Sequence, residues 1–157
     1  MNYSDWLDGI PETFKRDPLW RMKVYRMALF LGDLSWRDVS KLNQDRRTWG
    51  LADQLYRSVG SIAANVAEGY SRSSVKDRIR FYEYALGSAR EARGWYHQGR
   101  SILSPPVSEH RIELLTEIIR ILLTIIKAER SGSRIKEQEE TYTTTSTILE
   151  RTPPLPN

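Results

Sequence analysis

The chain has 157 residues and no cysteine, which excludes a large multidomain enzyme, a disulfide framework, a thiolate metal site and a cysteine nucleophile. Apolar residues make up 39% and charged residues 28%, with 24 Lys+Arg against 20 Asp+Glu for a net charge of +4, so the chain is not disordered as a whole. The opening residues Met1-Asn2-Tyr3-Ser4-Asp5-Trp6 lack the basic start and apolar core of a signal peptide, and no apolar run reaches the ~20 residues that span a bilayer. A soluble, cytoplasmic protein with no membrane partner is expected.

Period-two alternation is absent, and the pattern predicts an all-α chain. Residues 1–16, with Trp6 and Phe14, read as an N-terminal arm that packs on the bundle or on a neighbouring subunit; residues 17–130 form the helical domain. A first helix is expected from Leu19 to about Trp36, carrying Trp20, Val24, Met27 (or Ala28) and Leu31 on one face, followed by a charged connector at 37–48. The second is expected from Trp49 to about Glu68, with Leu51, Leu55, Val59, Ile62 and Val66 on one face, Gly60 as a local conflict and Gly69 as its C-terminal stop. The third opens at Ser74, whose hydroxyl can cap with Asp77 three residues on, and runs to about Ile102. Pro105-Pro106 stop it; Ser108 and Glu109 open a fourth helix that continues through Ile112 to about Arg130.

That fourth helix has two apolar stripes: Ile112, Leu115, Ile119, Leu122 and Ile126, and beside them Leu114, Ile118, Ile121 and Ile125. A surface helix of a small monomeric bundle needs a wider polar face. A second copy of the chain is the simplest cover, so Leu114, Ile118, Ile121 and Ile125 are the expected homo-oligomer interface; the alternative is an unusually central helix in a monomer. Residues 131–157 read as a flexible polar tail, with acidic, Thr-rich and Pro-rich stretches and an Ile135–Glu140 run able to extend the fourth helix.

Charge is unevenly placed: residues 19–60 and 69–107 each sum to +4, and 18 of the 24 basic residues are Arg, whose planar fork suits phosphate or carboxylate. On the third helix, Lys76, Arg78, Arg80, Arg90, Arg93 and Arg100 interleave with Phe81, Tyr82, Tyr84, Trp95 and Tyr96, and Arg72 precedes it. Arginines among aromatics suit phosphate contacts and base stacking, so these seven basic residues are the candidate nucleic-acid site. The plainer reading makes the aromatics core and the arginines a solvated face with ion pairs. Ala85, Gly87, Ser88, Ala89, Ala92 and Gly94 on the same helix imply close approach of another helix.

Arg57, Ser61, Asn65 and Glu68 share one side of the second helix. Glu68 as a general base with Arg57 or Arg72 as anion binder lacks a placed nucleophile, second carboxylate or histidine. A structural reading, with Asn65 and Glu68 bonding the open amides of the next helix, accounts for every residue type. His97 and His110 are too few and too separated for zinc, and no phosphate loop, dinucleotide fingerprint or nucleophile elbow is present. No enzyme, metal or cofactor is expected.

The run Arg57-Ser58-Val59-Gly60-Ser61-Ile62-Ala63-Ala64-Asn65-Val66-Ala67-Glu68-Gly69-Tyr70-Ser71-Arg72 resembles the small four-helix-bundle proteins first noticed as reading frames in intervening sequences of bacterial 23S rRNA genes. Arg57, Ser61, Asn65, Glu68 and Gly69 are the matching motif positions. Further matches are Leu19 with Val24 and Tyr25, Gly50-Leu51 with Gln54-Leu55, and Phe81 with Ala85-Leu86-Gly87-Ser88 and Glu91, so the likeness covers about 17–130. The resemblance implies an up-down four-helix bundle assembling into a homo-oligomeric, pentameric ring. It also implies a relation to the accessory variability determinants of diversity-generating retroelements, which bind nucleic acid and a reverse transcriptase, and it carries over no catalytic residue.

Together these readings predict a non-enzymatic, homo-oligomeric adaptor that binds RNA or DNA backbone. The alternative is a protein-interaction scaffold that recruits a partner such as a reverse transcriptase through its arm and tail, without touching nucleic acid.

Overall fold

The computed structural model describes residues 2–132 and 147–156. In chain order the helices are α1 (Tyr3–Asp8), α2 (Glu12–Lys15), α3 (Lys23–Leu42), α4 (Trp49–Tyr70), α5 (Val75–Gln98), α6 (Arg100–Leu103) and α7 (Pro105–Ser131), with 3-10 turns at Pro18–Arg21 and Arg46–Thr48 and one more helical turn at 147–150. Short links at 43–48, 71–74 and 99–104 send successive long helices back antiparallel. α4 packs on α3 and α5, α5 on α7, and α7 returns to α3, which closes a four-helix bundle. No helix among the described residues is long and apolar enough to cross a membrane.

The first long helix is shifted from its expected place. Pro18 opens a 3-10 turn capped by Asp17, whose carboxylate accepts from the Leu19 amide at 2.8 Å, and Met22 is extended, so α3 starts at Lys23. It then runs on to Leu42 through the charged stretch expected as connector, because Asp38, Val39 and Leu42 on that stretch are buried. At the other end, Pro105 and Pro106 lie inside the first turn of α7 rather than before it, where proline's missing N–H costs nothing. The third helix breaks earlier than expected, at Gly99, whose Cα sits where a Cβ would lie 3.3 Å from Leu42 and 3.5 Å from Leu51.

Gly69 does not terminate α4. The helix passes through it to Tyr70, and Ser71 closes the end with its hydroxyl on the Ala67 carbonyl. Gly69 is needed for clearance: a Cβ there would stand 2.7 and 2.9 Å from the Tyr82 ring and 3.3 Å from the Arg78 carbonyl. Gly69→Ala is expected to destabilise by about 1–3 kcal/mol. Gly60→Ala and Gly87→Ala, where a Cβ meets nothing within 4 Å, should gain roughly 0.5–1 kcal/mol. Urea melts of the three variants check this; a neutral Gly69→Ala would contradict the steric account.

α7 corrects the expected oligomer interface. Leu114, Ile118 and Ile125 are buried inside the single chain, and Ile121 is partly covered against the same core. Both stripes face neighbours of one bundle, α3, α5 and α6, so the helix is the central one of the weighed alternative. The width of its apolar surface is accounted for by neighbours within one chain.

The arm and tail also pack. Trp6 is buried among Tyr3, Trp20 and Phe30, with ring centroids at 5.5, 6.1 and 5.5 Å, and its indole donates to Asp33 at 2.6 Å. At the C-terminal end Leu149 is 6% exposed, Ser4 donates to Glu150 at 2.7 Å, and Leu155 packs on the core. Ile148, Leu149 and Leu155 are apolar points in a polar stretch, which is why 147–156 is docked where a loose tail was expected. The Ile135–Glu140 and Thr-rich runs lie outside the described residues.

Candidate nucleic-acid interface

The seven basic candidates fall into two groups. Arg78 is a structural residue: its Nε and Nη2 bind Glu129 of α7 at 3.1 and 3.0 Å, and its Nη1 donates to the carbonyls of Arg72 and Ser73 at 3.3 and 2.8 Å. It pins the α4–α5 turn to α7 and is withdrawn from the candidate surface. Arg93 reaches Thr116 at 3.4 Å, and Arg100 donates to the His97 carbonyl at 2.6 Å. Arg90 is exposed farther along α5, about 15 Å from Arg80 by helical rise.

The other three meet at one corner. Arg72 pairs with Glu68, Arg80 pairs with Asp77 at 3.2 Å, and Lys76 has no partner among the described residues. The guanidinium carbons of Arg72 and Arg80 lie over the Phe81 ring at 5.0 and 5.4 Å from its centroid. Tyr84 meets Phe81 edge-on at 5.8 Å and is 53% exposed. Lys76 and Arg80 are one turn apart on the same face of α5, and the Ser74 hydroxyl accepts from the Asp77 amide, as the sequence predicts, to fix that first turn. The corner thus sets two exposed guanidinium groups against Phe81, with Tyr84 beside that ring and Lys76 one turn before Arg80.

Just along α4, the shared motif is a seam lock. The Asn65 side chain donates to both the carbonyl and the hydroxyl of Ser61 at 2.8 Å, and Ser88 of α5 donates to the Ser61 hydroxyl at 3.0 Å. Arg57 pairs with Asp53 at 3.2 Å, and Glu68 with Arg72. The expected capping of the next helix by Asn65 and Glu68 is therefore not made: Ser61 lies one turn back and captures Asn65, and Ser74 supplies the cap. Gly87 and Gly94 of α5 face open space, while Ala85, Ala89 and Ala92 are the small residues against the core.

A second constellation went unread in the sequence. Asp38 of α3 is fully buried and accepts from Arg111 of α7 at 2.8 and 3.2 Å and from the Tyr96 hydroxyl of α5 at 2.8 Å. Arg111 also contacts His110 Nδ1 at 2.8 Å, and His110 Nε2 lies 2.5 Å from the Ile148 carbonyl. Nε2 therefore carries the proton and donates to Ile148, while Nδ1 accepts. Burial and the Asp38 carboxylate push the Tyr96 hydroxyl well above its ordinary range, so it stays a donor. The readable signal was register: Asp38 sits among Leu34, Val39 and Leu42, and Arg111 among Val107, Leu114 and Leu115. A charge on each of two facing core stripes marks a pair.

Burial, and then the adjoining Arg111 charge, lower the His110 pKa to about 4. In the unfolded chain the imidazole takes up its proton near pH 6.5, so between pH 6.5 and 4 the unfolded state holds more protons. Stability contributed by the neutral ring is present above pH 6.5 and is lost as pH falls toward 4, by roughly 2–3 kcal/mol. His110→Gln removes this dependence; urea midpoints of both proteins at pH 7 and pH 4.5 measure it, and parallel losses would contradict it.

A family model described as the 23S rRNA-intervening sequence protein matches residues 21–124. The chain belongs to that family. The match takes in all of α3, α4 and α5 and most of α7, and leaves the arm and the C-terminal segment outside. Among solved structures, a protein of unknown function from the S23 ribosomal protein family of Bacteroides thetaiotaomicron is 25% identical, with a TM-score of 0.63 over 66% of this chain and 98% of that one. No curated protein matches the chain. The neighbour is covered over almost its whole length, and Trp6, Leu149 and Leu155 lie outside the residues that the family model matches.

Proposed function

We propose that this intervening-sequence family protein is a non-enzymatic adaptor that binds RNA or DNA backbone through the α4–α5 corner and acts as a homo-oligomer. The observation that carries the reading is the placement of Arg72 and Arg80 over the Phe81 ring, with Tyr84 edge-on to that ring and Lys76 exposed one turn before Arg80 on the same face of α5. Exposed pairs such as Arg72–Glu68 and Arg80–Asp77 are each worth about 0–1 kcal/mol, so a phosphate can replace either carboxylate. The family description, with its link to 23S rRNA genes, supports the same class of ligand.

With α7 spent inside the chain, the homo-oligomer contact moves to the outer faces of α3 and α4. There Trp36 is 62% exposed, Tyr56 meets it at 5.9 Å, and Gly60 leaves open space one turn on. Ring assembly multiplies a modest corner into a strong field.

Replacing Arg72, Lys76 and Arg80 with Gln is expected to leave the elution volume unchanged and to weaken nucleic-acid binding at least tenfold. The log–log salt slope should fall by about two to three, near 0.7–0.9 per lost phosphate contact. Unchanged affinity and slope in fluorescence anisotropy would overturn this assignment.

A further inference from the structure

We infer that the α4–α5 corner takes an unpaired nucleotide, so that the preferred ligand is single-stranded RNA or DNA, a reading that rests on the nucleic-acid function proposed above. A duplex offers the protein its phosphates and groove edges but hides the faces of its bases. An exposed aromatic plate stacks most readily on a base that is out of a helix.

The corner is built from plates. Two guanidinium groups lie over Phe81 at 5.0 and 5.4 Å, and a planar guanidinium stacks on a base as well as pairing with phosphate. Tyr84 stands perpendicular to Phe81, at an interplanar angle of 90°, and is half exposed. Gly87 lies one turn further on the same side of α5, and apart from the adjoining backbone of the helix no described atom comes within 4 Å of the place its Cβ would occupy. A glycine inside an exposed helix costs stability, and among the described residues nothing uses the gap. A base laid against Tyr84 would fill it, with its flanking phosphates within reach of Arg80 and Lys76.

The test uses the full-length protein with a fluorescein-labelled 12-nucleotide mixed-sequence RNA, alone and annealed to its complement, in anisotropy titrations at several salt concentrations. The single strand is expected to bind at least tenfold tighter than the duplex. Tyr84→Ala should weaken single-strand binding roughly ten- to hundredfold with little change in salt slope, Tyr84→Leu should weaken it similarly, and Tyr84→Phe should retain it. Position 84 is exposed, and unchanged circular dichroism and elution volume check that each variant is folded and assembled. Equal or tighter binding of the duplex, or wild-type affinity in Tyr84→Ala, would overturn the inference while leaving backbone binding standing. Binding of neither ligand would overturn both.

Discussion

Asp38→Ala is expected to cost about 3–5 kcal/mol, the largest loss from any single polar residue in the bundle. Arg111 has 2% of its side chain exposed and Asp38 none. Removing the carboxylate leaves an unpaired guanidinium and a Tyr96 hydroxyl without an acceptor in the same dry space. Arg111→Ala is expected to cost a similar amount through the stranded carboxylate, and it also frees His110 Nδ1. The double variant Asp38→Leu/Arg111→Met should recover most of the loss, since a well-packed apolar pair avoids the desolvation of two ions. Urea denaturation of the three proteins at pH 7 measures this. A loss below about 1 kcal/mol in Asp38→Ala, or additive losses in the double variant, would contradict a closed buried pair.

Trp6→Ala should be nearly as damaging, at about 3–5 kcal/mol, though Trp6 lies outside the residues shared with the family. Its ring is 5% exposed and lies in a group with Tyr3, Trp20 and Phe30, while its N–H is bonded to Asp33. Truncation removes packing against three rings and leaves a void over Phe30 of α3. Trp6→Phe keeps the stack and loses the hydrogen bond, so it should cost only about 1 kcal/mol. The same series read by limited proteolysis should show cleavage within residues 1–16 for Trp6→Ala alone. Resistance equal to the wild type would mean that the arm is held by other contacts.

The bundle was legible from the sequence because the long apolar stripes have helical spacing, and the start of α4 at Trp49 and the Ser74 cap of α5 fall where those rules place them. The misreadings share a cause. Asp38 and Arg111 are charges at core register, and a sequence rule that reads charge as surface turned 37–48 into connector. Gly69 follows an apolar run in the way a helix stop does; only the position of Tyr82 on the next helix shows that it is a clearance residue. The two stripes of α7 record burial, and burial by neighbours of the same chain is indistinguishable in sequence from burial by another copy.

At the corner, the sequence picked out Arg72, Lys76 and Arg80 together with four other basic residues and could not separate them. Arg78 differs from Arg80 only in direction, toward Glu129 and the loop carbonyls instead of toward solvent. Spacing of two residues on a helix is enough to turn one guanidinium inward and leave the other out.

The most direct measurement is the equilibrium binding of a short structured RNA and a matching DNA duplex by the wild-type protein, freed of carried-over nucleic acid and titrated from low to physiological salt. The proposed adaptor function predicts micromolar or tighter binding to nucleic acid with a log–log salt slope of at least two to three, the contribution of Arg72, Lys76 and Arg80. No binding at low salt, or affinity indifferent to salt, would contradict the adaptor reading and turn attention to protein contacts on the arm and the C-terminal segment.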